Sequence, residues 1–165
     1  MKLDFSQKYA VRPLTAGDVD KILALCAENE QFYRYHPPLA TRESVLEDLS
    51  ALPPGKNAAD KHYLGFFDGK TLVAVLDLIL DYPQEGTAYL GFFMTKKATQ
   101  GRGIGSALIG ELLDELRKAS CKKVRLAVDR GNPQSKAFWE KNGFALTGEE
   151  FLHGDSAYLP MERAL

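Results

Sequence analysis

A glycine-rich loop at residues 100–107, with the sequence QGRGIGSA, most constrains what this chain can fold into. The loop follows a predicted strand and begins a long predicted helix. A helix N-terminus carries unpaired N–H groups and the positive end of the helix dipole, and glycine lets the backbone approach a phosphate closely. Arg102 adds positive charge, and Lys96 and Lys97 lie just upstream. Together these features predict a cradle for a pyrophosphate.

Two other kinds of nucleotide-binding loop, and a turn without a ligand, compete with this interpretation. A Walker A loop is excluded because GxxxxGK followed by Ser or Thr does not occur in the chain. The pairs Gly101–Gly103 and Gly103–Gly105 partly match a dinucleotide-binding fingerprint, which would make the protein an NAD-dependent oxidoreductase. However, Lys122 and Lys123 stand about 20 residues on, where that fold has an acidic residue for the ribose. A glycine-rich turn that binds nothing also remains open.

The hydrophobic patterns around the loop predict one mixed α/β domain over residues 1–165. Strands are predicted at Tyr9–Leu14, His62–Phe67, Thr71–Leu80, Thr87–Thr95, Lys123–Val128, Phe144–Glu149 and Ala157–Glu162. Helices are predicted after the capping residues Thr15 and Thr41, and at Gly103–Ala119 and Pro133–Asn142. The longest helix has apolar residues spaced for one buried face, at Ile104, Leu108, Leu112 and Leu116. Prolines prevent the segment Phe32–Pro38 from continuing the first helix.

The composition excludes several classes of protein. The 165 residues carry a formal net charge of −1, so the excess of Lys and Arg that a nucleic-acid-binding surface needs is missing. The apolar runs have the length of strands and not of membrane spans, and the first residues contain no apolar segment of signal-peptide length. The two cysteines, Cys26 and Cys121, fit reduced and packed thiols. We therefore expect a cytoplasmic protein with no nucleic-acid or membrane partner.

A second motif follows the long helix at residues 132–144, with the sequence NPQSKAFWEKNGF. It resembles a signature of the GCN5-related N-acetyltransferase (GNAT) superfamily, in which an Asn precedes a helix that ends in Gly-Phe. The glycine-rich loop is similar to the coenzyme A loop of the same superfamily at Gln100, Gly103 and Gly105. The resemblance implies an α/β (α+β) fold with a mixed, mostly antiparallel central sheet that is splayed at the coenzyme A site and flanked by helices.

The resemblance also implies a function, that of an N-acetyltransferase that moves the acetyl group of acetyl-coenzyme A to a primary amine. The amine would attack the thioester directly in a ternary complex, without a metal. The partners would be acetyl-coenzyme A and an amine acceptor that the sequence does not identify, and the protein would be a monomer or a homodimer. An alternative within the same fold is a catalytically weak module that binds or senses acyl-coenzyme A.

The resemblance assigns roles along the expected cofactor site. The pantetheine arm would pair with Phe93–Thr95, and a backbone N–H of Met94 or Thr95 would polarise the thioester carbonyl. Asn132 would contact the coenzyme, although Asn followed by Pro133 is equally typical of a helix start. The expected cofactor-binding residues are Phe93, Met94, Thr95, Gln100, Gly101, Arg102, Gly103, Ile104, Gly105, Ser106, Asn132 and Trp139.

Trp139 departs from the family pattern. In many members a Tyr seven residues after the Asn protonates the departing thiolate, but an indole N–H only donates and does not titrate usefully. A thiol has a pKa of about 8.5, so the thiolate can leave unprotonated, and we favour this route. Alternatively, the hydroxyl of Tyr158 or Tyr89 replaces the missing one, or the protein binds the coenzyme but catalyses poorly.

The sequence leaves the general base open. An amine that is protonated at neutral pH has to lose a proton before it attacks. Asp77, Asp81 and Glu85 lie in or between the central strands and are candidate bases. Each of them also fits an ordinary surface position, and an ordered water is an equally good relay.

The acceptor site is predicted in the segment after the first helix. In similar proteins this segment forms one wall of the acceptor cleft. The candidate acceptor-binding residues, which lie beside Arg34, are Phe32, Tyr33, Tyr35 and His36. Aromatic rings with a histidine and an arginine suit a flat or anionic group, although a histidine in a loop that ends in proline is also typical of exposed polar surface.

Overall fold

The computed structural model describes residue 2 and residues 4–165. Within these residues the strands are β1 (Ala10–Pro13), β2 (Lys61–Asp68), β3 (Thr71–Leu80), β4 (Thr87–Thr95), β5 (Lys123–Asp129), β6 (Ala145–Leu146), β7 (Phe151–His153) and β8 (Ser156–Ala164). The helices are α1 (Val19–Ala27), α2 (Glu30–Tyr35), α3 (Arg42–Asp48), α4 (Ile104–Lys118) and α5 (Pro133–Lys141). Short 3-10 turns lie at Ala16–Asp18, Ala58–Asp60 and Lys97–Thr99.

The strands form one mixed sheet. Their order across the sheet is β1-β2-β3-β4-β5-β8-β6, and β7 pairs with β8. β4 and β5 run parallel, whereas the neighbouring pairs β3–β4 and β5–β8 are antiparallel. Because parallel neighbours need a crossover connection, α4 links β4 to β5. The expected mixed, mostly antiparallel sheet with flanking helices is confirmed.

Helices cover both faces of the sheet, and each face has its own apolar core. One core joins the sheet to α1 and α3 and includes Leu25, Val45 and Met94. The other joins the sheet to α4 and α5 and includes Leu112 and Trp139. Among the described helices, none combines the length and the apolar content that a membrane crossing requires.

α4 carries the glycine-rich loop at its N-terminus. Its expected buried face is confirmed at Leu108, Leu112 and Leu116, whereas Ile104 in the first turn is only partly buried. These leucines hold the helix against the sheet. They therefore also set the position of the loop relative to β4 and β5.

The structure corrects the predicted strand Phe144–Glu149. Only Ala145–Leu146 pairs with β8, because Phe144 is buried in the core and Gly148 turns the chain with a φ of +89°. The unpredicted strand β7 follows this turn and pairs with β8.

The short helix α2 is a further difference from the sequence prediction. The prolines at 37 and 38 do end the helical path, as expected, but Glu30–Tyr35 completes a short helix before them and His36 follows as its cap residue. Proline restricts its own backbone and that of the residue before it. The residues up to Tyr35 can therefore adopt a helical backbone, and the helix ends before His36.

We expect Leu112→Ala to lower the free energy of unfolding by about 2–5 kcal/mol, because it opens a cavity beneath α4. The side chain of Leu112 is 1% exposed. The matched control is Leu152→Ala in β7, where the side chain is 79% exposed and the expected change is about 0.5 kcal/mol or less. Urea denaturation followed by circular dichroism measures both variants. Equal losses would contradict the packing of α4 described above.

Candidate active site

The parallel strands β4 and β5 are paired over only part of their length. Their pairing ends at Leu90 with Leu126, although β4 continues to Thr95 and β5 to Asp129. The two strands therefore separate beyond Leu90. A gap opens in the middle of the sheet, at the carboxyl ends of both strands.

A β-bulge in β4 marks the point where the gap begins. Asp77 of β3 lies opposite Phe92 and Leu78 lies opposite Leu90, so Gly91 is the extra residue. A Cβ on Gly91 would lie 3.0 Å from Oδ2 of Asp77, which is closer than an ordinary contact. A bulge bends its strand and increases the local twist, and this accounts for the separation of β4 from β5.

The gap forms the floor of a cleft of about 1050 Å³, a volume at the upper end for sites that bind cofactors. The cleft is lined by β4, β5, the glycine-rich loop, α5 and the segment from the end of α1 through α2. The expected cofactor-binding residues line it, with the exception of Arg102, which is exposed outside it. The structure therefore brings residues from both sequence motifs together in one cavity.

The hydrogen-bond pattern of β4 decides which backbone groups face the gap. The N–H of Lys96 donates to the carbonyl of Val73 at 2.7 Å, and hydrogen-bonded pairs alternate along an antiparallel ladder. The N–H of Met94 therefore points toward β3, whereas those of Phe93 and Thr95 point toward the gap. This corrects the expectation for Met94, whose side chain is also buried in the core. Of the two expected donors, Thr95 faces the cleft.

The glycine-rich loop enters α4 through two residues in the left-handed conformation. Gly101 and Gly103 have φ angles of +70° and +75°, which other residues adopt only at a cost in free energy. Gly103 is the N-cap of α4 and has no side chain to cap it, so the N–H groups of Ile104, Gly105 and Ser106 lack an intrahelical partner. A Cβ at Gly103 would meet nothing within 4 Å. The loop is thus an open surface of N–H donors suited to an anion.

The side chain of Gln100 ties the loop to the first helix. Its Nε2 donates to Oδ1 of Asn29 at 2.6 Å and to the carbonyl of Thr95 at 3.1 Å, and Nδ2 of Asn29 donates to the same carbonyl at 3.2 Å. Lys96 and Glu28 form an ion pair beside them, at 2.7 Å. These contacts join the ends of α1 and β4 to the loop. Sequence reasoning missed the contacts of Asn29, because its partners Thr95 and Gln100 lie 66 and 71 positions away.

Aromatic rings form the wall of the cleft beside α5. Trp139 is 7% exposed and packs edge-on against Phe138 and Phe144, with ring centroids 5.0 and 5.2 Å away. Phe93 of β4 lies 6.0 Å from Trp139, centroid to centroid. Trp139 is therefore a packing residue that supports one side of the gap.

Two asparagines hold the ends of α5. Asn132 is buried, and its Oδ1 accepts the N–H of Ser135 at 3.1 Å. Asn132 is therefore the N-cap of α5, which is one of the two roles expected from the sequence. Nδ2 of Asn142 donates to Oγ of Ser106 at 3.1 Å. This second contact connects the end of α5 to the first turn of α4. The position of the glycine-rich loop therefore depends on α5 as well.

The three carboxylates expected as candidate bases lie outside the cleft lining. Nζ of Lys61 lies 2.9 Å from Oδ1 of Asp77, and burial raises the pKa of Asp77 although this ammonium opposes the rise. Oδ1 of Asp81 accepts the N–H of Gly86 at 2.7 Å and closes the turn between β3 and β4. Glu85 is exposed in the same turn. The structure gives none of the three direct access to the cleft.

His36 and Asp129 form a pair within the cleft lining. Nδ1 of His36 lies 3.1 Å from Oδ1 and 3.2 Å from Oδ2 of Asp129. This hydrogen bond raises the pKa of His36, and burial of the ring opposes the rise. The ring centroid of Tyr158 lies 6.1 Å from that of His36. Burial raises the pKa of Tyr158, so its hydroxyl is protonated at neutral pH.

Sequence reasoning missed Asp129, which lies 93 positions from His36. The signal available was a polar residue at the carboxyl end of a strand, since ligands bind at that edge of parallel strands. Tyr158, an expected candidate acid, lies opposite Asp129 in the pairing of β5 with β8. The structure therefore brings one expected residue and one unexpected residue together beside His36.

The segment expected to face the acceptor lines the cleft in part. Phe32, Arg34 and His36 line the cleft, whereas Tyr33 and Tyr35 are not part of its lining. The rings of Phe32 and His36 pack against each other, with centroids 5.3 Å apart. Tyr33 packs against the core beside α1, where burial raises the pKa of its hydroxyl.

The cleft thus combines a surface for an anion, backbone donors beside an aromatic wall, and a histidine–aspartate pair near a hydroxyl. Such a site can hold a phosphorylated cofactor at one end and move protons at the other. Within residue 2 and residues 4–165, no group of His, Cys, Asp and Glu side chains has the arrangement of a metal site.

Comparisons with known proteins bear on the family and the fold of this chain. The sequence model of the Acetyltransferase (GNAT) family matches residues 23–144, and no curated protein sequence matches the chain. The structure is similar to that of an acetyltransferase from Thermus thermophilus, with 23% identity and a TM-score of 0.77 over 100% of both chains. It is also similar to the paia N-acetyltransferase from Thermoplasma acidophilum in complex with coenzyme A, with 21% identity and a TM-score of 0.69 over 95% of this chain and 99% of that chain.

A third similar structure is a chimera of spermidine N-acetyltransferase SpeG from Vibrio cholerae and hSSAT. It has 22% identity and a TM-score of 0.72, over 96% of each chain. At these identities the three structures show a shared fold. The family match adds the sequence relationship, since it spans the glycine-rich loop and the motif at residues 132–144, and this chain belongs to the GNAT acetyltransferase family.

Proposed function

We propose that this protein transfers the acetyl group of acetyl-coenzyme A to a primary amine, by direct attack in a ternary complex. The observation that supports this most is the gap between β4 and β5, where the N–H groups of Phe93 and Thr95 face a cleft that reaches the glycine-rich loop. Acetyl-coenzyme A has a diphosphate, an arm that contains amide groups, and a thioester. The order of donors along the cleft suits these three parts.

The diphosphate binds to the N–H groups at the start of α4, where Gly101 and Gly103 keep the surface open. The amides of the pantetheine arm pair with the free edge of β4, as an added strand would. Arg102 lies within the loop and is exposed, and its positive charge favours the approach of an anion from solvent. Trp139 and Phe93 line the path of the arm.

At the thioester, the amine nitrogen forms a bond to the carbonyl carbon and the carbonyl oxygen becomes an oxyanion. An N–H of Phe93 or Thr95 that faces the gap stabilises this charge. The oxyanion then collapses, the C–S bond breaks, and its electron pair leaves on the sulfur of coenzyme A. No acyl-enzyme is needed, and neither Cys26 nor Cys121 lines the cleft.

The sulfur leaves as a thiolate without a proton from the protein. Trp139 has no titrating group, and it is committed to packing against its aromatic neighbours. The parent thiol has a pKa of about 8.5, so the thiolate is a tolerable leaving group near neutral pH. The alternative acid is Tyr158, which lines the cleft with its hydroxyl protonated.

Nitrogen is the acceptor atom that the similar structures support. The paia protein and the spermidine N-acetyltransferase chimera are both N-acetyltransferases. They share the fold of this chain at low identity, so they support the class of acceptor and not a particular amine.

We expect acetyl-coenzyme A to raise the melting temperature and Gly103→Asp to remove this effect. A ligand at about 100 times its Kd adds about 2.7 kcal/mol of stability. The new carboxylate would stand where the diphosphate binds and repel it. The matched control is Gly55→Asp, because Gly55 also has a positive φ, of +81°, and nothing within 4 Å of a Cβ. Thermal-shift titration with acetyl-coenzyme A, NAD and ATP measures the effect in each protein.

Loss of the acetyl-coenzyme A shift in both glycine variants would show a general effect of the substitution and contradict the cradle. A larger shift with NAD than with acetyl-coenzyme A would contradict the proposed function. A clear shift without turnover of any amine would favour a module that binds acyl-coenzyme A.

We expect Tyr158→Phe to lower kcat by less than about tenfold, because the thiolate leaves without a protein acid, whereas loss of a general acid costs about 10²–10⁴-fold. A thiol reagent that reports the release of coenzyme A measures the rate. A loss within the larger range would assign the role of acid to Tyr158 and refute the unassisted departure.

A further inference from the structure

We propose that His36 is the general base that deprotonates the acceptor amine and that Asp129 is its positioning residue. This inference rests on the acetyl transfer proposed above. The carboxylates at 77, 81 and 85 lie outside the cleft lining, so the proton acceptor has to be sought among the groups that line it. His36 is one of these groups, whereas His62 and His153 are not.

Asp129 decides which ring nitrogen of His36 accepts a proton. Because both carboxylate oxygens lie within 3.2 Å of Nδ1, the hydrogen of the neutral ring sits on Nδ1 and donates to Asp129. Nε2 then carries the free lone pair. The Asp129 side chain is 9% exposed and that of His36 is 44% exposed, so the carboxylate is held within the protein while the ring remains accessible.

The backbone around Asp129 fixes this carboxylate in place. Asp129 is the last residue of β5 and is paired with Tyr158 of β8. Its carbonyl accepts the N–H of Asn132 at 3.1 Å, at the start of α5. A carboxylate on such a rigid frame holds the imidazole in one orientation, which a base near a reacting amine requires.

Phe32 connects His36 to the strand that holds the thioester. Its ring centroid lies 5.3 Å from that of His36 and 6.1 Å from that of Phe92. Phe92 directly precedes Phe93, whose N–H faces the gap. The rings of Phe32 and Phe92 therefore connect the imidazole to the part of β4 where we place the carbonyl of the thioester, and His36 lies on the wall proposed to face the acceptor.

The titratable and charged groups around His36 come from several elements. Asp129 lies on β5, Tyr158 on β8 and Asp48 on α3, and Arg34 lies in α2, two residues before His36. The hydrogen bond to Asp129 has the largest effect and raises the pKa of His36, burial lowers it, and the charge of Asp48 adds a smaller rise. A base whose pKa lies near the working pH is the most effective at proton transfer.

In the proposed step, Nε2 of the neutral imidazole takes one proton from the ammonium group of the acceptor. The neutral amine forms the N–C bond, and the C–S bond breaks with its electron pair on sulfur. The remaining extra proton on nitrogen passes through water to the thiolate. The imidazolium releases its proton to solvent, which leaves an amide, the thiol of coenzyme A and the starting enzyme.

The test compares His36→Gln and Asp129→Asn with the control His62→Gln, which makes the same change outside the cleft lining. The acceptor is whichever of spermidine, phenethylamine and lysine methyl ester the wild-type protein acetylates fastest. The pH dependence of kcat is measured across the range in which imidazole titrates. A thermal shift with acetyl-coenzyme A is measured in each variant, so that loss of coenzyme binding is detected separately.

We expect His36→Gln to lower kcat by about 10²-fold and to abolish the acidic limb of the kcat profile, with acetyl-coenzyme A binding unchanged. In the wild type, kcat falls as the pH drops through the pKa of His36, because the protonated ring cannot accept a proton. Asp129→Asn removes the group that raises this pKa, so the limb moves to lower pH while the plateau of kcat also falls. His62→Gln should keep the wild-type profile.

Wild-type kcat and an intact acidic limb in His36→Gln would overturn the inference. A higher KM with an unchanged kcat would also overturn it, since His36 would then bind the acceptor only. If His36→Gln does not fold, the pH dependence of kcat in Asp129→Asn decides the question. An acidic limb at the same pH as in the wild type would overturn the role of Asp129 beside His36. A wild-type protein that binds acetyl-coenzyme A but acetylates no amine would contradict the proposed function itself. A His36→Gln variant that keeps the wild-type kcat would contradict only the role of His36 as base.

Discussion

The loss of pairing between β4 and β5 beyond Leu90 is the constraint on which the rest of the structure depends. A strand edge inside a sheet carries backbone groups that cost free energy if they stay unpaired and buried. The carbonyl of Thr95 accepts hydrogen bonds from the side chains of Asn29 and Gln100. The N–H groups of Phe93 and Thr95 stay directed at the cleft. The sheet is therefore incomplete at one place, and an extended ligand with amide groups can complete it there.

The helices bring chemistry to this gap from both faces of the sheet. On one face, the buried leucines of α4 and the contact between Asn142 and Ser106 fix the glycine-rich loop. On the other face, α1 and α2 carry Asn29 and His36 to the open end of the strands. The helices on one face of the sheet do not form the cleft alone, because the N–H donors of the glycine-rich loop lie on the face of α4 and His36 lies on the face of α1 and α2.

Much of the fold and the position of the glycine-rich loop between β4 and α4 could be predicted, because local rules control them. The helix after Gly103 and the strand that ends at Thr95 follow from apolar spacing and glycine position, and the structure confirms both. The orientation of individual N–H groups could not be predicted, since the extra residue Gly91 shifts the strand pairing and leaves no trace in the apolar pattern. The contact of His36 with Asp129 spans 93 positions, and only the folded sheet brings them together.

The contact of Asn29 with Thr95 and Gln100 gives one anchor to two walls of the cleft. The glycine-rich loop and the start of α2 at Asn29 are both attached to the end of β4 through these hydrogen bonds. Under the proposed function one of these walls meets the coenzyme and the other meets the acceptor, so a ligand that displaces the end of β4 would act on both walls. Thermodynamic linkage requires any coupling of the two affinities that arises through this anchor to be reciprocal, so tighter binding of the coenzyme would then mean tighter binding of the acceptor to the same degree.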